Sequence, residues 1–202
     1  LTSQSFKLSE LLELSKLAND ITFNAENHIY SINGSVLPSV TTMLLDLGLI
    51  NTKYFKQTDA EKGHRIHHLL ELLDQDKLDW ESLTDPELIH VQNWNTFKLD
   101  YGVDILMIEQ PIYHPIYLYA GTIDRFALVK GKLAVIDIKS GYPMTWHQLQ
   151  LGLYGMIVEY VLKQEIEMYD VYTKRYTVRK VPREIYNVCE AVLTLWRWKY
   201  EV

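Results

Sequence analysis

Apolar and polar positions along this chain change period several times, and each change marks an element. Leu1 to Asp20 mixes Lys, Glu and Leu at helical spacing. Phe23 to Val36 reads as a small hairpin, because Ile29-Tyr30-Ser31-Ile32 alternates and Asn33-Gly34 is a strong turn signal. Pro38 follows, and Ser39 or Thr41 is placed to cap a short helix through Leu47 that Gly48 ends. Helical spacing returns from about Thr52 to Leu73, and again from Asp85 to Leu99, where Pro86 sits in the first turn. Ile105 to Glu109 and Ile112 to Tyr119 read as strands. Thr122 to Val129 and Leu133 to Lys139 are rich in apolar and β-branched residues and flank Lys130-Gly131-Lys132, the pattern of a hairpin. Pro143 then opens a helix to about Leu162, Ile166 to Tyr172 and Tyr176 to Val181 pair as a further hairpin, and Pro182 precedes a last helix reaching Trp198. No repeat, low-complexity tract or linker interrupts this order. It predicts one α/β domain over residues 1–202, a mixed β-sheet flanked by helices, with residues 1–50 as decoration.

The central hairpin carries the candidate chemistry. Side chains two apart on a strand share a face, so Asp137 and Lys139 point the same way. A two-residue turn at Lys130-Gly131 sets Val129 against Lys132, and counting back sets Asp124 opposite Asp137. Facing carboxylates repel. A chain that builds such a pair beside a lysine points to a bound divalent cation, and aspartate oxygens suit a hard ion, Mg²⁺ or Mn²⁺. Such an ion makes its bound water more acidic and neutralises charge on a phosphoryl oxygen. Lys139 is placed to orient or deprotonate an attacking water, or to stabilise transition-state charge. The competing reading is a surface ion pair, and the hairpin alone does not separate the two.

Three further groups bear on the same place. His64, His67, His68 and Glu71 approach one face of a helix, either as its polar surface or as candidate ligands. Gln150 and Tyr154 lie one turn apart on an otherwise apolar helix, so both are expected to face a cleft, with His147 one turn earlier. There Gln150 is able to bond a phosphate or Lys139. Arg125 alternates away from Asp124 and is expected on the opposite face.

Taken in order, Gly121-Thr122-Ile123-Asp124, Asp137-Ile138-Lys139 and Gln150-Leu151-Gly152-Leu153-Tyr154 resemble the PD-(D/E)XK nuclease superfamily, and more narrowly its RecB-type and lambda-exonuclease-like branch. That branch also has a helical histidine upstream, and the Gly-x-x-x-His spacing selects Gly63 and His67. Leu37-Pro38-Ser39-Val40-Thr41 resembles an N-terminal element of phage and mitochondrial members. The similarity runs from about Tyr30 to Tyr172, and the proline of the superfamily's name is replaced by Ile123. The resemblance implies a restriction-endonuclease-like core and a metal-dependent deoxyribonuclease, an exonuclease of recombination, repair or phage DNA processing. It implies Asp124, Asp137 and Lys139 as catalytic residues. The metal would be held by His67, Asp124, Asp137 and the Ile138 carbonyl, with Glu109 completing the shell. Gln150, Tyr154 and Ser39 would bind substrate, and Glu71 would orient His67 or a second ion. It further implies DNA as partner, an oligomer or a recombination protein as a second one, and the cytoplasm of a bacterial or phage-infected cell. The distinct alternative is an inactive nucleic-acid-binding or assembly protein on the same fold. The intact Asp, Asp and Lys set weighs against it.

Composition narrows the rest. With 202 residues and 48% hydrophobic content, the chain can bury one sizeable core. No apolar stretch has membrane-spanning length, so no membrane is expected. A single Cys189 excludes an internal disulfide and a cysteine zinc cluster. Because Leu1 is not a start methionine, organelle targeting by a removed leader stays open. The net charge of −6 runs against the basic footprint of a DNA binder, although Lys163, Lys174, Arg175, Arg179, Lys180 and Arg183 gather in the last third of the chain. The five tryptophans carry no substrate information from their positions alone.

Overall fold

A computed structural model gives the architecture, with residues 8–51 and 57–200 described. In chain order the elements are α1 (Leu8–Asp20), β1 (Ile21–Asn24), β2 (Ile29–Ile32), β3 (Ser35–Leu37), α2 (Val40–Asp46), α3 (Gln57–Asp74), α4 (Asp85–Tyr101), β4 (Val103–Tyr113), β5 (Ala120–Val129), β6 (Lys132–Lys139), α5 (Thr145–Leu162), β7 (Glu167–Tyr172), β8 (Thr177–Lys180) and α6 (Ile185–Tyr200). One three-residue 3-10 turn, Trp80–Ser82, lies between α3 and α4. The main sheet is five-stranded and mixed, in the order β4-β5-β6-β7-β8, and a separate antiparallel sheet holds β1-β2-β3.

The hairpin of β5 and β6 has the expected register. Lys130 and Gly131 both take left-handed φ, 50° and 76°, the conformation that lets a two-residue turn follow the twist of its strands. Val129 therefore faces Lys132, and the pairing continues to Arg125 against Ile136. The return to a parallel partner needs a long crossover, and α5 supplies it: β6 and β7 run parallel, with Asp137 beside Asp170.

Alternation along these strands feeds two cores. Phe126, Val135 and Met168 pack with Leu14 of α1, Met43 and Leu44 of α2, Leu153 and Ile157 of α5 and Leu193 of α6. Ala127, Ala134, Ile136 and Ile138 pack on the other side with Leu69 and Leu70 of α3 and Val91, Trp94 and Phe97 of α4. The chain is thus an α/β mixed sheet covered by helices on both faces.

Three sequence expectations need amending. The single hairpin over Phe23 to Val36 is a three-stranded meander: Asn33-Gly34 turns β2 into β3 as expected, and Asn24 Oδ1 accepts from the Asn27 amide (3.2 Å) to make a second turn before it. The two strands read around Pro111 are one strand, β4. It lies at the sheet edge, where a proline without an N–H is tolerated. Beyond Tyr113 the chain forms a tight loop instead of more strand, since buried His114 accepts at Nδ1 from the amides of Ile116 and Tyr117, both at 3.2 Å. Burial lowers the His114 pKa to about 4, which keeps that nitrogen an acceptor. The beginnings of the helices expected from Leu1 and Thr52 lie outside the described residues. No helix among the described residues is long and apolar enough to cross a membrane.

One surface cluster sets an acid limit on this fold. Burial would raise the Glu167 pKa, but hydrogen bonds from Lys180, Tyr169 and Lys132 outweigh it and hold the carboxyl at about 2, against an ordinary 4.5. A depressed carboxylate pKa contributes stability above the unfolded value and loses it as pH falls through the folded one. Glu167→Gln is therefore expected to be less stable than the parent at neutral pH, with the gap closing between about pH 4.5 and 2. Urea denaturation across that range measures it, and a gap independent of pH would count against the cluster.

Candidate active site

The residues singled out on β5, β6, α3 and α5 meet at the end of β6, beside a cleft of about 530 Å³. Gly63, His64, His67, His68 and Glu71 of α3 line it, with Glu109 of β4, Lys139 of β6 and Trp146 of α5. Asp124 lies buried behind them, and its Oδ2 accepts from the Ile138 amide at 2.6 Å, which ties β5 to β6.

Two subclusters divide the site. In the first, His67 Nδ1 stands 3.5 Å from Asp124 Oδ1 and 3.7 Å from Glu109 Oε1. One ligand atom from each of the three falls within 4.8 Å of the others, one nitrogen and two carboxylate oxygens. Burial alone would lower the His67 pKa, but Asp124 and then Glu109 outweigh it and hold it at about 9. Burial raises the Asp124 carboxyl, the imidazolium works against that, and Glu109 adds to it. The histidine proton thus supplies the positive charge that the two acids need. A divalent ion suits the same donor set, and imidazole must be neutral to bind one.

In the second subcluster, Lys139 Nζ lies 2.6 Å from Asp137 Oδ2 and donates to Gln150 Oε1 at 2.7 Å. Gln150 Nε2 in turn donates to the Tyr154 hydroxyl at 3.0 Å. The Trp146 ring covers the ammonium, with its centroid 5.5 Å away. Burial would lower the Lys139 pKa, yet Asp137 and then Asp124 raise it, so the amine stays charged. Burial pushes Asp137 up to about 6 against the pull of Lys139.

The other expected residues make contacts of their own. Ile138 engages Asp124 through its amide. Glu71 pairs with His68 (3.5 Å) and accepts from Gln75, while His64 lines the cleft beside them. The Ser39 hydroxyl caps α2, accepting from the Thr42 amide at 3.0 Å, and Ser39 is bridged to Ala120 at the start of β5. His147 is buried and bonds the Tyr172 hydroxyl at 3.0 Å; burial, then Lys139 and Arg179, depress its pKa to about 3.

Two residues that sequence reasoning did not place in the site belong to it. Arg125 does leave the Asp124 side of the strand, but it turns under the cluster. Its Nε donates to Asp74 Oδ2 at 2.8 Å, and its Nη1 to Glu109 Oε1 at 3.1 Å and to the Asp124 carbonyl at 2.6 Å. Both Arg125 and the Asp74 side chain are fully buried. The guanidinium therefore fixes the Glu109 oxygen that His67 faces. The second is Asp170, fully buried beside Asp137, whose pKa rises to about 7 through burial and then the charge of Asp137. The available signal was a lone acid in the apolar run Met168-Tyr169-Asp170-Val171-Tyr172.

Comparison with known proteins adds little. No protein-family model and no curated protein matches the chain. Among solved structures, one titled "Crystal structure of SSO0001" is similar at 16% identity and a TM-score of 0.29, covering 77% of this chain and 84% of that one, too low a likeness to inform fold or chemistry.

The buried guanidinium generates a sharp expectation. Arg125→Met takes the guanidinium from Asp74, which keeps Lys98, and from Glu109, which keeps His67, and breaking a buried pair costs about 3–5 kcal/mol. Arg125→Lys is expected to recover only part of that, because one ammonium cannot span both carboxylates as a planar fork does. Urea unfolding at neutral pH checks both, and a loss below about 1 kcal/mol for the Met variant would show that Lys98 and His67 suffice for the two acids.

Proposed function

We propose that the chain is a metal-dependent deoxyribonuclease, an exonuclease acting in recombination, repair or phage DNA processing within a bacterial or phage-infected cell. The observation that carries this reading is the meeting of two chemistries on one strand end. A charged lysine held by Asp137 and Gln150 shares a cleft with a compact histidine and carboxylate cluster. The resemblance of the ordered motifs to PD-(D/E)XK nucleases supports it, as does the route from an antiparallel hairpin through α5 to a parallel strand.

The cofactor we propose is Mg²⁺ or Mn²⁺, with His67, Glu109 and Asp124 as its holders and Asp137 adjoining. Such an ion supplies Lewis acidity at a phosphoryl oxygen. The chain's own residues do the rest. Asp137 and Gln150 aim the Lys139 ammonium, and Tyr154 fixes Gln150. Because its neighbours keep Lys139 protonated, it serves better to stabilise charge growing on the phosphate than to abstract a proton. Trp146 shields it from water on one side.

The test is cleavage of linear and circular DNA, labelled at either end, with Mg²⁺, Mn²⁺ or EDTA. Asp124→Ala and Asp137→Ala are expected to abolish cleavage. Lys139→Ala is expected to lower the single-turnover rate about 10²-fold or more while DNA affinity in Ca²⁺ holds. His67→Ala should impair strongly and His68→Ala mildly. Metal should also raise the melting temperature of the parent and not of Asp124→Ala, since a ligand that binds the native state stabilises it. Cleavage insensitive to EDTA, or undiminished in Lys139→Ala, would sink the assignment.

A further inference from the structure

Lys174 and Arg175, both exposed, occupy the turn between β7 and β8. Their cationic heads converge on one ring: Lys174 Nζ lies 5.0 Å and Arg175 Cζ 5.1 Å from the centroid of Tyr142. Tyr142 is itself 52% exposed and stands three residues beyond Lys139, in the loop leading to α5.

This trio is bolted to the candidate active site through the backbone. The Thr173 amide donates to the Lys139 carbonyl at 2.9 Å, and its hydroxyl adds a longer bond at 3.3 Å. From the other side α4 grips the same residue, His90 Nδ1 with the Thr173 hydroxyl at 2.6 Å and Asn93 Nδ2 with its carbonyl at 2.7 Å. The first cation of the turn is thus one residue from a group that holds the main chain of Lys139.

The kind of contact matters. A carboxylate partner neutralises a cation, whereas an aromatic face holds it by its quadrupole and leaves the net charge free. At the opposite end of the sheet exposed bases are spent on acids: Lys132 and Lys180 on Glu167, and Arg183 on Glu159 and Glu165. In a chain of net charge −6, two pre-positioned cations of full charge beside the candidate site suit a polyanion.

We infer that Tyr142, Lys174 and Arg175 form a phosphate-binding subsite that grips the DNA backbone next to the scissile phosphate. The subsite rests on the nuclease reading and extends it. Tyr142 orders the two cations, which contact phosphate oxygens, so the grip is independent of base sequence.

The experiment is binding of fluorescein-labelled single- and double-stranded oligonucleotides in Ca²⁺ over about 50–200 mM salt, with cleavage in Mg²⁺ measured in parallel. Lys174→Ala and Arg175→Ala are each expected to weaken affinity several-fold for every sequence. Each should reduce the slope of log affinity against log salt by about 0.7–0.9, and the double variant by roughly twice that. Tyr142→Phe is expected to keep the parental affinity, and Tyr142→Ala to lower it with a smaller change in slope. Lys132→Ala, at the far end of β6, should match the parent. All these positions are exposed, and thermal melts verify that the variants fold. If the charge variants keep the parental affinity and slope while the parent binds and cleaves, the subsite is overturned and the nuclease reading stands. Variants that keep DNA affinity but lose binding to phosphatidylglycerol vesicles overturn it as well. A parent that neither binds nor cleaves DNA overturns the reading and the subsite together.

Discussion

A single buried guanidinium holds the floor of this site. Arg125 joins α3 through Asp74, β4 through Glu109 and its own strand through the Asp124 carbonyl. Asp74 also takes Lys98 at 2.7 Å and the indole of Trp94 at 2.9 Å, so α4 joins the same network. Buried ions add little net stability, yet removing one partner is costly, and the arrangement gains from being made in one way only. Here that one way places the Glu109 oxygen between Arg125 and His67. Glu109 adopts a left-handed backbone, φ 45°, beside a shift in the β4–β5 pairing between Ile105 and Met107. A non-glycine residue in that region costs about 1–3 kcal/mol, and such strain persists where neighbours over-determine it. Arg125 and His67 are those neighbours.

The upper half of the site is a problem of excess negative charge. Asp124, Asp137 and Asp170 are all buried within two adjoining strand pairs, and the positive groups acting on them are His67, Lys139 and, at Asp170, Arg179. Burial favours the neutral form of each acid, and each ionised neighbour raises the others. The fold therefore keeps the histidine charged and the lysine locked, a state that a divalent ion would relieve. That is why carboxylate crowding, unfavourable in an ordinary core, is informative here.

Much of this was legible before any coordinates. Strand parity and the Lys130-Gly131 turn were enough to bring Asp124 level with the end of β6, because register propagates two residues at a time from a fixed turn. The one-turn spacing of Gln150 and Tyr154 likewise put both on one face, where Gln150 meets Lys139 and Tyr154 meets Gln150. Gly121 has its own steric reason, since a Cβ there would overlap the Tyr154 ring. Gly63 has none of that kind, as a Cβ would meet Ser140 Oγ at an ordinary 3.5 Å. What escaped were contacts between residues far apart in the chain. Arg125 with Asp74, and Asp137 with Asp170, depend on which helix packs on which face and on the parallel register across α5, and local periodicity carries neither.

The same distinction explains how an acidic chain can be read as handling a polyanion. Net charge sums over all surfaces, whereas a ligand meets the potential of one cleft and its rim. In this cleft Lys139 is the charged end of a buried relay, and next to its main-chain partner Thr173 the Lys174 and Arg175 heads rest on Tyr142, with no ion pair to a carboxylate among the described residues. Several other bases are matched to acids, Lys16 with Glu13, Arg65 with Glu87 and Lys180 with Glu167, while Lys130 and Lys163 rest on Tyr101 and Tyr160. Two cations held on an aromatic ring next to the backbone of Lys139 add a local positive field that the composition conceals.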